Sequence, residues 1–313
     1  MSAPAQDLPR LTANDLKAPG RRKRREGLVA VVMLGAALGS VVISVLIIWS
    51  LFSEAWTFMT NVDWGQVWGQ IGWFPRRGIY DMPTLLWATL ITTVVAMLVA
   101  TPLGLGAAVY LSEYARPGVR KVLKPTLEVL AGIPSVVLGF FALQWIAPEL
   151  VARIGGPSSG SLMAAGLGVG ILTIPLVASI SEDAMSAVPR ELREASFGLG
   201  ARKVTTTVRV VLPASISGLV AAFIVATSRA VGETMVVFLA GGAADAALYT
   251  RDPFDPGLTM TAAMASLASG TDQVVGEGLT FQSLFFVGFV LFFITLGLNM
   301  IGNRFVAKIR EAY

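Results

Sequence analysis

Five stretches of the chain carry no Asp, Glu, Lys or Arg: 27–53, 82–112, 129–148, 154–181 and 278–303. Each supplies the ~20 apolar residues a helix needs to cross the hydrocarbon core of a bilayer. A sixth apolar run, 210–228, continues through Arg229 and Glu233 into the apolar stretch MVVFLAG and is also long enough. The pattern predicts an all-α membrane protein of six transmembrane helices, with spans at about 28–52, 83–111, 129–148, 161–181, 213–240 and 280–303. An even number of crossings puts both termini on one side. Residues 1–27 read as a basic leader without structure and 304–313 as a short tail. The first run exceeds the ~7–15 apolar residues of a signal peptide, so it reads as a retained span.

The charges between the runs orient the bundle. The leader ends in RRKRRE, and together with 113–128, 182–209 and 304–313 it holds 19 of the 24 Lys and Arg. The positive-inside rule therefore makes these segments, and both termini, cytoplasmic. Arg76, Arg77, Arg153 and Arg251 fall in outer loops, and Arg229 falls inside a span. This asymmetry explains the net charge of +4 through membrane lipid and calls for no nucleic acid. In the outer loops, Trp56, Trp64, Trp68 and Trp73 read as interfacial anchors, with a docking surface as the sharper alternative. The stretch 258–270 is too short to span and reads as an outer interfacial helix.

Composition narrows the chemistry. Hydrophobic residues make up 54% of the chain and charged ones 14%, with no Cys and no His. A zinc site of the usual ligands, a disulfide, a His-based triad and a thiol nucleophile are excluded. The dipeptide Gly-Lys, which a phosphate-binding Walker loop requires, is absent. Hence no catalytic residue, metal site or bound cofactor is expected, and any ATP and Mg would sit on another subunit. With no linker between folded units, the chain reads as one membrane domain.

Arg229 and Glu233 are the candidate chemistry within the spans. A cation at the centre of a span costs ~2.5–3.5 kcal/mol on insertion scales, so it faces a bundle interior or a wet cavity. Arg229 follows Pro213 by 16 residues, roughly 24 Å of helix, which is the outer half of a span read from inside to outside. Its guanidinium fork matches the oxygens of an oxyanion, and Glu233 can hold the fork or accept a hydrogen from a protonated anion. A structural ion pair is the other reading, although Arg before Glu is the less favourable order for local helix support. Gly132, Pro134 and Ser135 mark a point where the third span can break and expose backbone, or merely kink.

The longest inner loop, 182–212, carries a second signal. Pro189 suits a first helical turn, Glu191 and Glu194 follow near the positive end, and Gly198 and Gly200 can end the helix. Glu194-Ala195-Ser196 is followed by Gly200 and then by Val210, Leu212 and Pro213. This spacing resembles the EAA signature of bacterial ABC importer permeases, with Ser196 for the second Ala and Val210 for Ile. TPLGLGAAVYLSEY (101–114), LEVLAGIPSVVLGFF (127–141), ISEDAMSAVPRELREAS (180–196) and SRAVGETM (228–235) are similar to phosphate ABC importer permeases of the C type.

The resemblance implies the type I ABC importer permease fold, in the inner membrane of a bacterium, without catalytic activity of its own. It implies a coupling helix in which Arg190, Glu191, Arg193, Glu194, Ala195, Ser196 and Gly200 meet an ATP-binding subunit. It also implies a second permease subunit of the A type, an external phosphate-binding protein, and phosphate passing Arg229 and Glu233 beside Gly132, Pro134 and Ser135. A permease for molybdate or sulfate would use the same loop. A secondary carrier would tolerate changes in 190–200.

Overall fold

The computed structural model describes residues 20–243, 247–269 and 278–310. It divides into two compact units, Met1–Leu51 and Phe52–Tyr313. Helix α1 (Gly20–Asn61) provides all the described structure of the first unit and continues into the second. Residues 20–27, expected in the leader, are helical instead: no Pro lies between Pro19 and the end of this helix, and Arg, Lys and Glu are good helix formers. The rest of the expected leader, 1–19, lies outside the described residues.

In the second unit a short helix α2 (Trp64–Val67) leads into strands β1 (Gly72–Phe74) and β2 (Ile79–Tyr80). Helix α3 (Met82–Val109) follows, with Pro83 in its first turn, and widens into π turns at Tyr110–Tyr114. It packs along α6 (Leu162–Ser186) in the same direction, and a Cβ at Gly166 would lie 2.7 Å from Val95 Cβ. Small residues let two spans approach where lipid gives no hydrophobic drive.

The third span, expected at 129–148, breaks at the point that Gly132, Pro134 and Ser135 mark, and the fifth, expected unbroken at 213–240, is interrupted as well. The amphipathic helix α4 (Pro117–Ala131) stops at Gly132, and α5 (Ser135–Phe141) starts after Pro134 and widens through Ala142–Val151. The membrane-length segment is Ser135–Ile154. Pro134 explains the break, because it offers no N–H and disfavours helix in the residue before it. The fifth span is approached through α8 (Lys203–Thr206) and α9 (Leu212–Ala214). It bends by 70° at Ser215 into α10 (Ile216–Val231), breaks at 232–234 and resumes as α11 (Met235–Ala240).

Between α6 and α8 lies α7 (Arg190–Gly198). Beyond α11, β3 (Ala247–Leu248) completes an antiparallel sheet in the order β2-β1-β3. Trp73, an expected interface anchor, is fully buried in β1, paired with Tyr80 and Ala247, whereas Trp56, Trp64 and Trp68 are exposed. Helix α12 (Met260–Ser269), expected as an interfacial helix, packs into the protein with Met260, Thr261, Ala262, Ala263 and Leu267 buried. Helix α13 (Thr280–Arg310) runs on through the start of the expected tail, whose last residues, 311–313, lie outside the described ones. Among the described residues, five helices are long and apolar enough to cross a membrane, and six with the bent pair at Ser215.

Candidate functional site

The two breaks lie side by side. Gly139 of α5 is pressed against α11, where a Cβ would meet Leu239 Cδ1 at 2.8 Å and Met235 O at 3.0 Å. Gly139 lies four residues past Ser135 and Met235 is the first residue of α11, so the contact falls within about one helical turn of each break. Interrupted spans of this kind expose backbone groups only where protein or a wet cavity receives them.

Arg229 occupies the last turn of α10 and is exposed, while Glu233 is half-buried just past the break. Among the described residues neither has an ion-pair partner, so the pair that one continuous helix would allow is not formed. The break accounts for the unusual order of charges. Arg229 faces the negative end of α10, and Glu233 precedes α11, where its Oε1 accepts from Val236 N at 3.4 Å. The carbonyl of Glu233 accepts from Thr261 Oγ1 at 2.6 Å, which ties the break to α12. Gly132 and Pro134 are exposed and Ser135 is half-buried.

At the basic end of the molecule, α7 is closed by a Schellman arrangement. Gly200 has φ +78°, its N–H donates to Phe197 O at 2.9 Å, and Ala201 N donates to Ser196 O at 3.1 Å. A side chain at Gly200 would be strained by that backbone, which explains the glycine six residues after Glu194. Arg190, Glu191, Glu194 and Ala195 are exposed, so this face of α7 is free to meet another chain. Ser196 turns inward to Thr206 Oγ1 at 2.9 Å. Arg193 also turns inward, donating to Glu113 Oε1 at 2.9 Å, Met185 O at 2.8 Å and Val188 O at 2.6 Å.

A second polar cluster was not visible in the pattern of spans. Glu182, 1% exposed, is paired with Arg120 and with Lys124 Nζ at 2.6 Å, and accepts from Ser186 Oγ at 2.8 Å. Lys124 also reaches Asp183 at 2.7 Å, so the basic face of α4 is fastened to the end of α6. The bonds to Asp183 and then Glu182 hold the Lys124 ammonium above its ordinary value of 10.5. A raised pKa means that the stabilisation is complete below 10.5 and is lost as pH climbs through the higher folded value. The difference in thermal midpoint between the purified wild type and Lys124→Gln is therefore expected to be flat across neutral pH and to shrink only above 10.5.

Residues 100–311 match the model of the family described as binding-protein-dependent transport system inner membrane component. The chain belongs to that family. It is thus a multi-pass component of a bacterial inner membrane, and the match takes in both the interrupted spans and α7. A probable ABC transporter permease protein, YqgH of Bacillus subtilis, is 30% identical over 76% of this chain and 74% of its own length. The phosphate transport system permease protein PstC of Mesorhizobium japonicum is 30% identical over 90% of this chain and 88% of its own. PstA 1 of Mycobacterium tuberculosis H37Rv, a phosphate transport system permease protein, is 32% identical over 71% and 70%.

Solved structures support the fold. A chain of the bacterial ABC transporter for the acidic polysaccharide alginate has TM-score 0.63 at 11% identity, covering 92% of this chain and 98% of that one. A chain of the inward-facing MetNI methionine transporter has TM-score 0.52 at 19%, covering 72% and 93%. The family reading places the catalysis of ATP hydrolysis on a different subunit, in keeping with the missing Walker loop.

Proposed function

We propose that this chain is one of two permease subunits of an ATP-driven importer that moves inorganic phosphate inward by alternating access. The observation that carries the reading is the adjacent pair of broken spans with an exposed Arg229 at one break, in a chain that is 30% identical to a PstC phosphate permease along 90% of its length. A guanidinium at an interrupted span offers an oxyanion a charge-assisted fork without a closed cage, and a transport site must release what it holds. Gly132, Pro134 and Ser135 flank the same passage from the third span, with Glu233 opposite.

In this reading the exposed side of α7, with Arg190, Glu191, Glu194 and Ala195, docks on an ATP-binding subunit that holds ATP and Mg, and Gly200 fixes the end of that helix. Both termini are cytoplasmic. The partner permease is a distinct A-type subunit, and an external phosphate-binding protein delivers the ion. The test is uptake of labelled phosphate by cells that depend on this chain, with unlabelled phosphate, molybdate and sulfate as competitors. Competition by phosphate alone is the expected result. Competition by molybdate or sulfate at equal or lower concentration would move the substrate to that anion, and uptake independent of the ATP-binding subunit would overturn the ATP-driven reading.

A further inference from the structure

The face of α7 turned away from its exposed residues is fastened to α3 and α6 by the Arg193 guanidinium. Arg193, with 18% of its side chain exposed, donates at once to Glu113, to Met185 O and to Val188 O. Glu113 has 7% of its side chain exposed and sits in the π turns that end α3. Met185 lies in the last turn of α6 and Val188 just beyond it; both are buried and pack with Ala108 of α3 and Val211 of the fifth span. One side chain thus joins α7 to the ends of the two spans that pack most closely together.

The joint is specific to its parts. The planar fork donates from two separate nitrogens to one carboxylate and two carbonyls, a span that the single ammonium of lysine does not reproduce. Ser112 Oγ donates to the same Glu113 Oε1 at 2.9 Å, which holds the carboxylate in its orientation. On the other side, α7 packs against α8 and the turns 207–211 and is tied to them by the Ser196–Thr206 hydrogen bond at 2.9 Å.

We infer that Arg193 and Glu113 are positioning residues: the clamp transmits displacement of α7 by the ATP-binding subunit to α3 and α6, and neither residue touches that subunit or the transported ion. This rests on the permease reading above, and it reassigns Arg193 from docking contact to strut. With the clamp cut, α7 still presents its outer residues to its partner, but its movement no longer drags the spans. ATP hydrolysis then proceeds without transport.

The test uses the whole transporter, copurified on a tag carried by this chain and reconstituted in vesicles. Glu113→Ala is expected to lower phosphate imported per ATP hydrolysed at least about tenfold, the scale of a buried charged group losing its partner, while basal hydrolysis, without the binding protein, stays within about twofold. Glu113→Gln keeps an acceptor for Arg193 and is expected to recover much of the ratio. Unchanged coupling in Glu113→Ala, or equal loss of hydrolysis and uptake, would overturn the inference.

Should Glu113→Ala fail to assemble, the double variant Glu113→Cys with Arg193→Cys decides, since the chain has no other cysteine. A short, reducible bifunctional thiol reagent is expected to restore coupling and a reductant to abolish it. Coupling insensitive to the cross-link would count against the clamp. Stimulation of ATP hydrolysis by the loaded binding protein reads the clamp whatever the ion, so a transporter that ignores phosphate would refute the substrate while leaving this readout intact.

Discussion

Arg229→Gln, at matched membrane level and with the ATP-binding subunit still copurifying, is expected to lower labelled-phosphate uptake at least about tenfold. A charge-assisted hydrogen bond contributes ~1.5–3 kcal/mol, and ~1.4 kcal/mol is a factor of ten. The variant is a clean one because Arg229 is exposed on this chain and has no ion-pair partner among the described residues. Its removal leaves no buried carboxylate stranded, in contrast to removal of Arg120 or Lys124 from Glu182. Arg229→Lys keeps the charge but not the fork and should fall between the two. Full uptake by an assembled Arg229→Gln would make Arg229 a contact to the partner permease or to another helix and would remove it from the ion's path.

The spans were legible because charge-free runs of bilayer length have no cheap alternative to helix in lipid. The short helix between α6 and α8 was legible too, from Pro189, the glycine at position 200 and the spacing on to Pro213. What the linear pattern hid were features made by contacts distant in sequence. Arg193 looked like its exposed neighbours Arg190 and Glu194, and its inward turn depends on Glu113, 80 positions earlier. Glu182 marked the edge of a run, and only the fold supplies its partners Arg120 and Lys124. Helix α4 was split by the reading at 129 because its apolar residues merge with the next run, although Arg120, Lys121 and Lys124 at helical spacing were a usable signal.

The break at 232–234 was hidden for a different reason. Gly232, Glu233 and Thr234 sit between strongly apolar neighbours, and hydropathy averaged over a span does not register three residues. The third span announced its break through Pro134, whereas the fifth has no proline there. The pairing of charges across a supposed helical turn was therefore misread. Arg229 closes one half-helix and Glu233 opens the next, which is the order that the helix dipoles favour.

That the two interruptions lie side by side depends on Gly139, and Gly139→Val is expected to be the most damaging single substitution in the half-helices. Even an alanine Cβ would come within 3.0 Å of Met235 O and 3.2 Å of Leu239 Cβ, and the first of these is backbone that cannot turn aside. Valine adds two methyl groups on a stiff χ1, so α5 and α11 must separate. Overpacking of a close contact costs ~1–3 kcal/mol, and here the displacement falls on the segments that carry 132–135 and 232–234. The expected outcome is loss of uptake together with a lower thermal midpoint of the purified complex, with Gly139→Ala intermediate in both. Separating the two effects is informative: a variant that keeps its midpoint but not its uptake would mean that the spacing of the breaks, rather than the integrity of the bundle, sets passage. Unchanged uptake in Gly139→Val would mean that the ion does not pass between these half-helices.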